Sequence, residues 1–207
     1  MDIYQRRACF FEELIRQDPL YPAGHGYLGA IMYAQGDFET GRREWEITQE
    51  LAFVNFSFYQ ALDSFMQGND PQAIDLLIRD SRYLGWEVGN LPETVTKIRA
   101  KQLTGTQLRA LLDSDPVWNK PRWYWLFFAV FGYMDELFEI LEELGAYGQE
   151  QNDVETPLAD VMIMRPTGFL ADPRFVEIAE AYGMADVWRK RGAPDYCKPA
   201  SDSWICE

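Results

Sequence analysis

The stretch "GYLGAIMYAQGDFETGRREWEI", residues 26–47, decides the fold class. It reads as two helices separated at Gly36-Asp37, yet Gly29, Ala30, Ala34 and Gly41 thin out the side chains within them. An interior helical glycine costs about 1 kcal/mol relative to alanine, and a close approach to a neighbouring helix is what offsets it. The stretch is therefore expected as a hairpin whose helices cross at Gly29 and Gly41, with Trp45 filling the space between units. Gly36 closes the first helix and Asp37 caps the second.

The same plan extends in both directions. Residues 2–17 form a helix with Phe10, Phe11, Leu14 and Ile15 on one side, stopped by "DPLYP". Residues 54–67 and 70–83 repeat the hairpin, Gly68 ending one helix and Asp70-Pro71 opening the next. Segments 92–103 and 105–113 form a weaker third pair. Pro121 opens an aromatic helix, apolar all round and so expected between two others, and 135–144 follows with Leu137, Ile140, Leu141 and Leu144 on one stripe. Helices near 157–164, from Asp172-Pro173 to Gly183 and on through Arg191 precede a tail, from Gly192, expected to be irregular. No segment alternates with period two convincingly enough to be a strand.

The turn glycines recur: Gly36 to Gly68 is 32 residues and Gly68 to Gly132 is 64, two such periods. A period in the thirties marks stacked helical hairpins, none of which buries its apolar face alone. The expected organisation is one all-α domain over 1–207: helical hairpins over 1–145, a loop over 146–156, and capping helices and tail over 157–207.

At 207 residues and 47% hydrophobic, the chain can fill a sizeable core. Its 19 Lys and Arg stand against 33 Asp and Glu, a net charge of -14 that repels phosphate backbones and anionic lipid. Direct nucleic-acid and membrane partners are therefore not expected. The greasiest run, "WYWLFFAVF" (123–131), is about 14 Å long as a helix, too short for a bilayer. The first residues lack the apolar segment of a signal peptide, so the expected location is cytoplasmic. Cys9, Cys197 and Cys206 include no Cys-x-x-Cys pair, so neither a disulfide framework nor a zinc site is indicated. Cys197 and Cys206 could pair only in an oxidising compartment. Between Trp123 and Met164 stand nine acidic residues and no Lys or Arg, a stretch that either draws a cationic partner or is a solvated face.

Residues 19–51 resemble a tetratricopeptide repeat. His25, Leu28-Gly29, Met32, Gly41 and Trp45 stand at its Trp, Leu-Gly, Tyr, small and aromatic places, and Pro19 at the proline closing a preceding unit. Leu28 and Gly29 match strictly, and the rest depart. Ala61, Ala73 and Leu77 in the second unit and Trp125, Leu137 and Leu141 in the fourth follow more loosely. The end is similar to the closing segment of bacterial tetratricopeptide arrays behind winged-helix transcription regulators or nucleotide-cyclase-like domains. That likeness lies in Asp172-Pro173-Arg174-Phe175, Gly183, Trp188-Arg189, Gly192, Pro194-Asp195 and Cys197.

The resemblance implies a right-handed superhelix of antiparallel hairpins, an α-α solenoid. It implies a non-enzymatic module, without cofactor, that binds a peptide or protein partner in a concave groove lined by first helices. Its alternative is the sensory half of a bacterial regulator or cyclase system, binding a small ligand. The family's groove places project onto Gly26, Ala30, Tyr33, Asn55, Phe58, Phe65, Asn119, Arg122 and Leu126. Gly26, where packing does not demand a glycine, would let a ligand approach the backbone. Tyr33, Phe58 and Phe65 serve either the groove or the packing between repeats. Gly26 and Ala30 stand where a carboxylate clamp would need Lys and Asn, which disfavours docking of a free C-terminal tail. Residues 2–17 resemble the second helix of a pair, and a stripe of Ile3, Phe10, Phe11 and Leu14 left uncovered would favour a homodimer.

Two strings suggest chemistry and are read structurally. "GHGYLG", 24–29, fits a dinucleotide fingerprint, but that motif works between a strand and a helix, and no strand precedes it. His25 is the sole histidine and occupies the Trp place of the repeat, so packing is expected of it, and no histidine cluster for a metal exists. Asp135-Glu136 and Glu142-Glu143 fall on the exposed side of their helix.

Overall fold

Pro22 supplies a preset φ at the first turn of a helix, and Gly36 ends that helix by turning to φ 88°. The structure, a computed structural model, describes residues 3–53, 56–84, 90–114, 125–151, 161–193, 196–200 and 203–206. Helix α1 (Ile3–Gln17) precedes the hairpin of α2 (Pro22–Gln35) and α3 (Phe38–Glu50). At the turn, the N–H groups of Gly36 and Asp37 return to the carbonyls of Tyr33 and Met32. Asp37 accepts from the Thr40 N–H at 3.1 Å, a bond that caps α3, and the Thr40 hydroxyl first and this N–H second hold the Asp37 carboxyl below its ordinary range.

The two helices cross where the small residues stand. A Cβ on Gly29 would lie 2.6 Å from Trp45 Cδ1 and 2.9 Å from the Gly41 oxygen. Trp45 is fully buried, stacks on Tyr33 (5.0 Å) and Tyr59 (6.1 Å), and donates from Nε1 to the Gly26 oxygen at 3.2 Å.

Helices α4 (Ser57–Met66) and α5 (Asp70–Leu84) follow, separated at Gly68 with φ 76°. Helix α4 runs beside α2 in the same direction: Tyr27 meets Phe56 at 5.2 Å near the start of both, and the Tyr33 hydroxyl donates to Asp63 at 2.6 Å further on. After α6 (Leu91–Arg99) and α7 (Gly105–Ser114) come α8 (Trp125–Phe131) and α9 (Met134–Gln151). Phe58 and Phe65 meet Phe127 at 6.4 and 5.7 Å, and Phe65 meets Phe131 at 5.3 Å, so α8 lies parallel to α4. The result is a row, α2, α4, α8, with α3, α5 and α9 each packed on its row helix. Residues Trp125 to Ala129 are all buried, as an all-round apolar helix requires.

The third pair departs from the expected regular array. Helix α6 packs chiefly on α5 and α7 on α9, and α8 succeeds α4 in the row. A helix in the row has neighbours on several sides and needs apolar residues all round, whereas α6 buries only the stripe Leu91, Val95 and Ile98. Arg99 fastens α6 by donating to the Phe65 oxygen, pairing with Asp70 at 2.7 Å, and lying 4.8 Å over the Phe131 ring. Thr104 and Gln107 cap each other's backbone N–H at the start of α7, and the Tyr133 hydroxyl donates to the Leu103 oxygen at 2.9 Å.

Helix α9 continues through Gly145 and Gly148 to Gln151, which corrects the loop expected from residue 146; residues 152–156 lie outside the described ones. Two glycines cost about 2 kcal/mol, and no proline stops the helix. A 3-10 segment, Val161–Thr167, stands where a helix near 157–164 was expected, residues 157–160 being outside the described ones. A short one, Phe169–Ala171, leads to α10 (Arg174–Ala181) and α11 (Met184–Arg191). Arg174 pairs with Asp172 and Asp135 and lies 4.3 Å over Phe138, tying the start of α10 to α9. Burial pushes the Tyr182 phenol up to about 12, and its hydroxyl donates to the Leu141 oxygen at 2.8 Å.

The tail is a hairpin, which corrects the expected irregular end. Strands β1 (Cys197–Ala200) and β2 (Ser203–Cys206) are antiparallel, with Cys197 opposite Cys206, and a disulfide joins the two. Strands of four residues are too short for period two to be read from sequence. Burial of both cysteines and the contact of Trp204 with Trp188 at 5.5 Å hold the hairpin on the last helices. Closing so short a loop removes about 2.5 kcal/mol of unfolded-chain entropy. Cys197→Ser is accordingly expected to speed hydrogen exchange across 196–206 by fifty- to a hundredfold while leaving α2 and α3 unchanged.

Candidate functional site

The face of the row α2, α4, α8 is occupied by the chain itself. Residues Val161–Thr167 pack against all three helices. Met164 is fully buried there, and Arg165 Nη1 donates to the Ala34 oxygen at 3.3 Å. That carbonyl belongs to the last turn of α2, where unpaired carbonyls and the helix dipole favour a cation. The Arg165 guanidinium also lies 3.0 Å from where a Cβ on Gly36 would stand. Thr167 Oγ1 donates to the Met164 oxygen at 2.7 Å, and Phe169 stacks on Phe138 (5.2 Å) and meets Phe175 edge-on (5.3 Å). Pro166 is exposed.

The residues projected onto an open groove are mostly interior. Gly26 is buried, and a Cβ on it would lie 2.1 Å from the Phe56 ring, so packing demands the glycine after all. Tyr33, Phe65 and Leu126 are fully buried, and Ala30 and Phe58 are half-buried against the core. For Tyr33, Phe58 and Phe65 the contacts are those of packing between neighbouring helices. Asn55, Asn119 and Arg122 lie outside the described residues. The string 24–29 sits inside α2, with Gly24 against Ile15 and Tyr21, Gly26 against Phe56 and Gly29 against Trp45.

Two buried polar constellations were not read from sequence. Asp63, 4% exposed, accepts from the Tyr33 hydroxyl, from Arg42 Nε and Nη2 at 2.7 and 2.9 Å, and from Gln67. Burial first, and Asp63 second, push the Tyr33 phenol well above its ordinary range, so it stays a donor. The Asp63 carboxylate raises Arg42 as well. His25 meets the Glu44 carboxylate through Nδ1 at 2.7 Å and the Pro19 oxygen through Nε2 at 3.0 Å, both side chains being buried. A carbonyl only accepts, so in the contact with Pro19 the ring nitrogen is the donor. The pair ties the turn before α2 to α3. Four residues back from Gly29 and three on from Gly41 bring His25 opposite Glu44, and that register could have disclosed the pair.

Ser57 Oγ and Trp125 Nε1 are buried and have no hydrogen-bond partner among the described residues. They start α4 and α8, which run parallel, so they fall at the same end of the row. No three His, Cys, Asp or Glu among the described residues are grouped to hold a metal ion, and no described helix is long and apolar enough to cross a membrane. On α1, Phe10 is 58% exposed, while Phe11 stacks on Tyr27 at 5.2 Å and Leu14 is half-buried. Part of the stripe expected to favour a homodimer is thus covered by α2; the Ile3 side chain lies outside the described ones. Comparison of the chain with family models, with curated proteins and with solved structures found no match.

Proposed function

We propose that the chain is a non-enzymatic interaction module of the tetratricopeptide kind. In this reading it is an α-α solenoid with α2, α4 and α8 as first helices and α3, α5 and α9 as second helices, and the row holds a peptide or protein partner. The observation that carries this is the polypeptide already lying on the row, Val161–Thr167, whose described side chains include a fully buried Met164 and Arg165 on the Ala34 oxygen. A face that accepts a 3-10 segment of its own chain has the shape and chemistry to accept another's. The acidic stretch from 123 to 164, and a net charge of -14, draw a partner carrying positive charge.

The test is photo-crosslinking in the native cell. A photoreactive residue at Gln35, half-buried in the last turn of α2 beside the Ala34 carbonyl, is expected to give an adduct with one protein, and the same residue at Val187, exposed on α11, is expected to give none. No protein adduct at position 35 would end this reading.

A second reading, the sensory half of a bacterial regulator, draws on Ser57 Oγ and Trp125 Nε1, since unpartnered buried polar atoms are places where a small ligand gains hydrogen bonds. It calls for a metabolite that raises the melting temperature of the wild type and has no such effect on Ser57→Ala.

A further inference from the structure

We infer that Val161–Thr167 is an internal stand-in for the partner. The row of α2, α4 and α8 takes a short segment bearing an unbranched apolar side chain followed at once by an arginine, and Met164-Arg165 holds that place until a competing segment displaces it. This rests on the interaction-module reading. The recognition chemistry is visible in the occupant. Met164 is fully buried in the core cluster, where a thioether adapts to an irregular well. Arg165 reaches the carbonyl end of α2, where a positive charge is favoured and where Gly36, lacking a Cβ, leaves room for the guanidinium.

The seat is built for exchange. A 3-10 segment has poorer internal hydrogen bonds than an α-helix, and this one contains Pro166, which has no N–H to contribute. The contact of Arg165 with Ala34, at 3.3 Å, is at the long end for a hydrogen bond. A stand-in of this kind lowers the apparent affinity of any competitor by the fraction of time that the seat is filled. Weakening the stand-in therefore tightens binding in trans.

The experiment uses the full chain and a fluorescent peptide of residues 159–168, ADVMIMRPTG, read by anisotropy. The Arg165→Ala chain is expected to bind the peptide roughly tenfold more tightly than the wild type, the effect of one lost charge-assisted hydrogen bond. The same peptide carrying Arg165→Ala is expected to lose that gain. Arg165 is only half-buried, so this variant keeps its fold, and its circular dichroism is recorded beside the binding. Equal affinity of wild type and variant, or equal binding of the arginine-less peptide, overturns the inference. A crosslinked partner at position 35 with no peptide effect sinks the stand-in alone, whereas no crosslinked partner sinks the module reading itself.

Discussion

Gly29→Ala is expected to lower the unfolding free energy by about 2–3 kcal/mol, although alanine is the better helix former by about 1 kcal/mol. The new methyl would stand 2.6 Å from Trp45 Cδ1, 2.7 Å from its Nε1 and 2.9 Å from the Gly41 oxygen. The indole has nowhere to retreat, since it is fully buried and stacked on Tyr33 and Tyr59. The Gly41 oxygen is backbone and cannot rotate away, so α2 and α3 must part. Parting them also lengthens the bond from Trp45 to the Gly26 oxygen. Urea unfolding should show a lower midpoint at unchanged slope, and the melting temperature should fall by roughly 5–10 °C for a chain of this size. The sign is the diagnostic feature: a neutral or stabilising Gly29→Ala would mean that the helices do not cross this closely. Gly26→Ala should destabilise as well, because its methyl would stand 2.1 Å from the ring of Phe56, which is itself buried.

Asp63→Ala should cost about 3 kcal/mol. The carboxylate is buried and accepts from Tyr33, Arg42 and Gln67, so its loss strands the fully buried Tyr33 hydroxyl without a partner, at about 1–3 kcal/mol. Removing one partner of a buried ion pair typically costs about 3–5 kcal/mol. Arg42 is 40% exposed and regains water, which keeps the total at the low end of that range. A double-mutant cycle separates the parts: Tyr33→Phe should be destabilising alone and nearly neutral in the Asp63→Ala background, because the hydroxyl it removes is already stranded. A cost below about 1 kcal/mol for Asp63→Ala, or strict additivity in the cycle, would contradict the network.

These two variants probe different levels of legibility. The close crossing of α2 and α3 could be read from the chain, because a glycine inside a helix carries a known cost and two of them opposite each other have one economical explanation. Asp63 could not. It occupies a helical position like many others, and its value depends on Tyr33 and Arg42, 30 and 21 residues away, converging on it. Gly26 was legible as an unusual glycine and misread in its cause, since what closes on it is Phe56, from the segment entering the next hairpin. The even period of the turn glycines suggested a regular array of hairpins, with the weaker pair over 92–113 as its third member. Period alone does not distinguish a helix with one apolar stripe, as in α6, from one apolar on all sides, as in α8, and that difference decides which enters the row.

Most of the helix-forming segments, their caps and the α2–α3 crossing were determined by the sequence alone, because their causes are local: hydrophobic period, proline and glycine at helix ends, and small residues at a close approach. The tertiary structure alone decided what covers the row, which helices stand side by side in it, and that Cys197 meets Cys206 across a hairpin. Arg165 lies 131 residues from the Ala34 carbonyl that it caps. No local pattern encodes a meeting at that separation. It follows from where the intervening helices, once packed, deliver the chain.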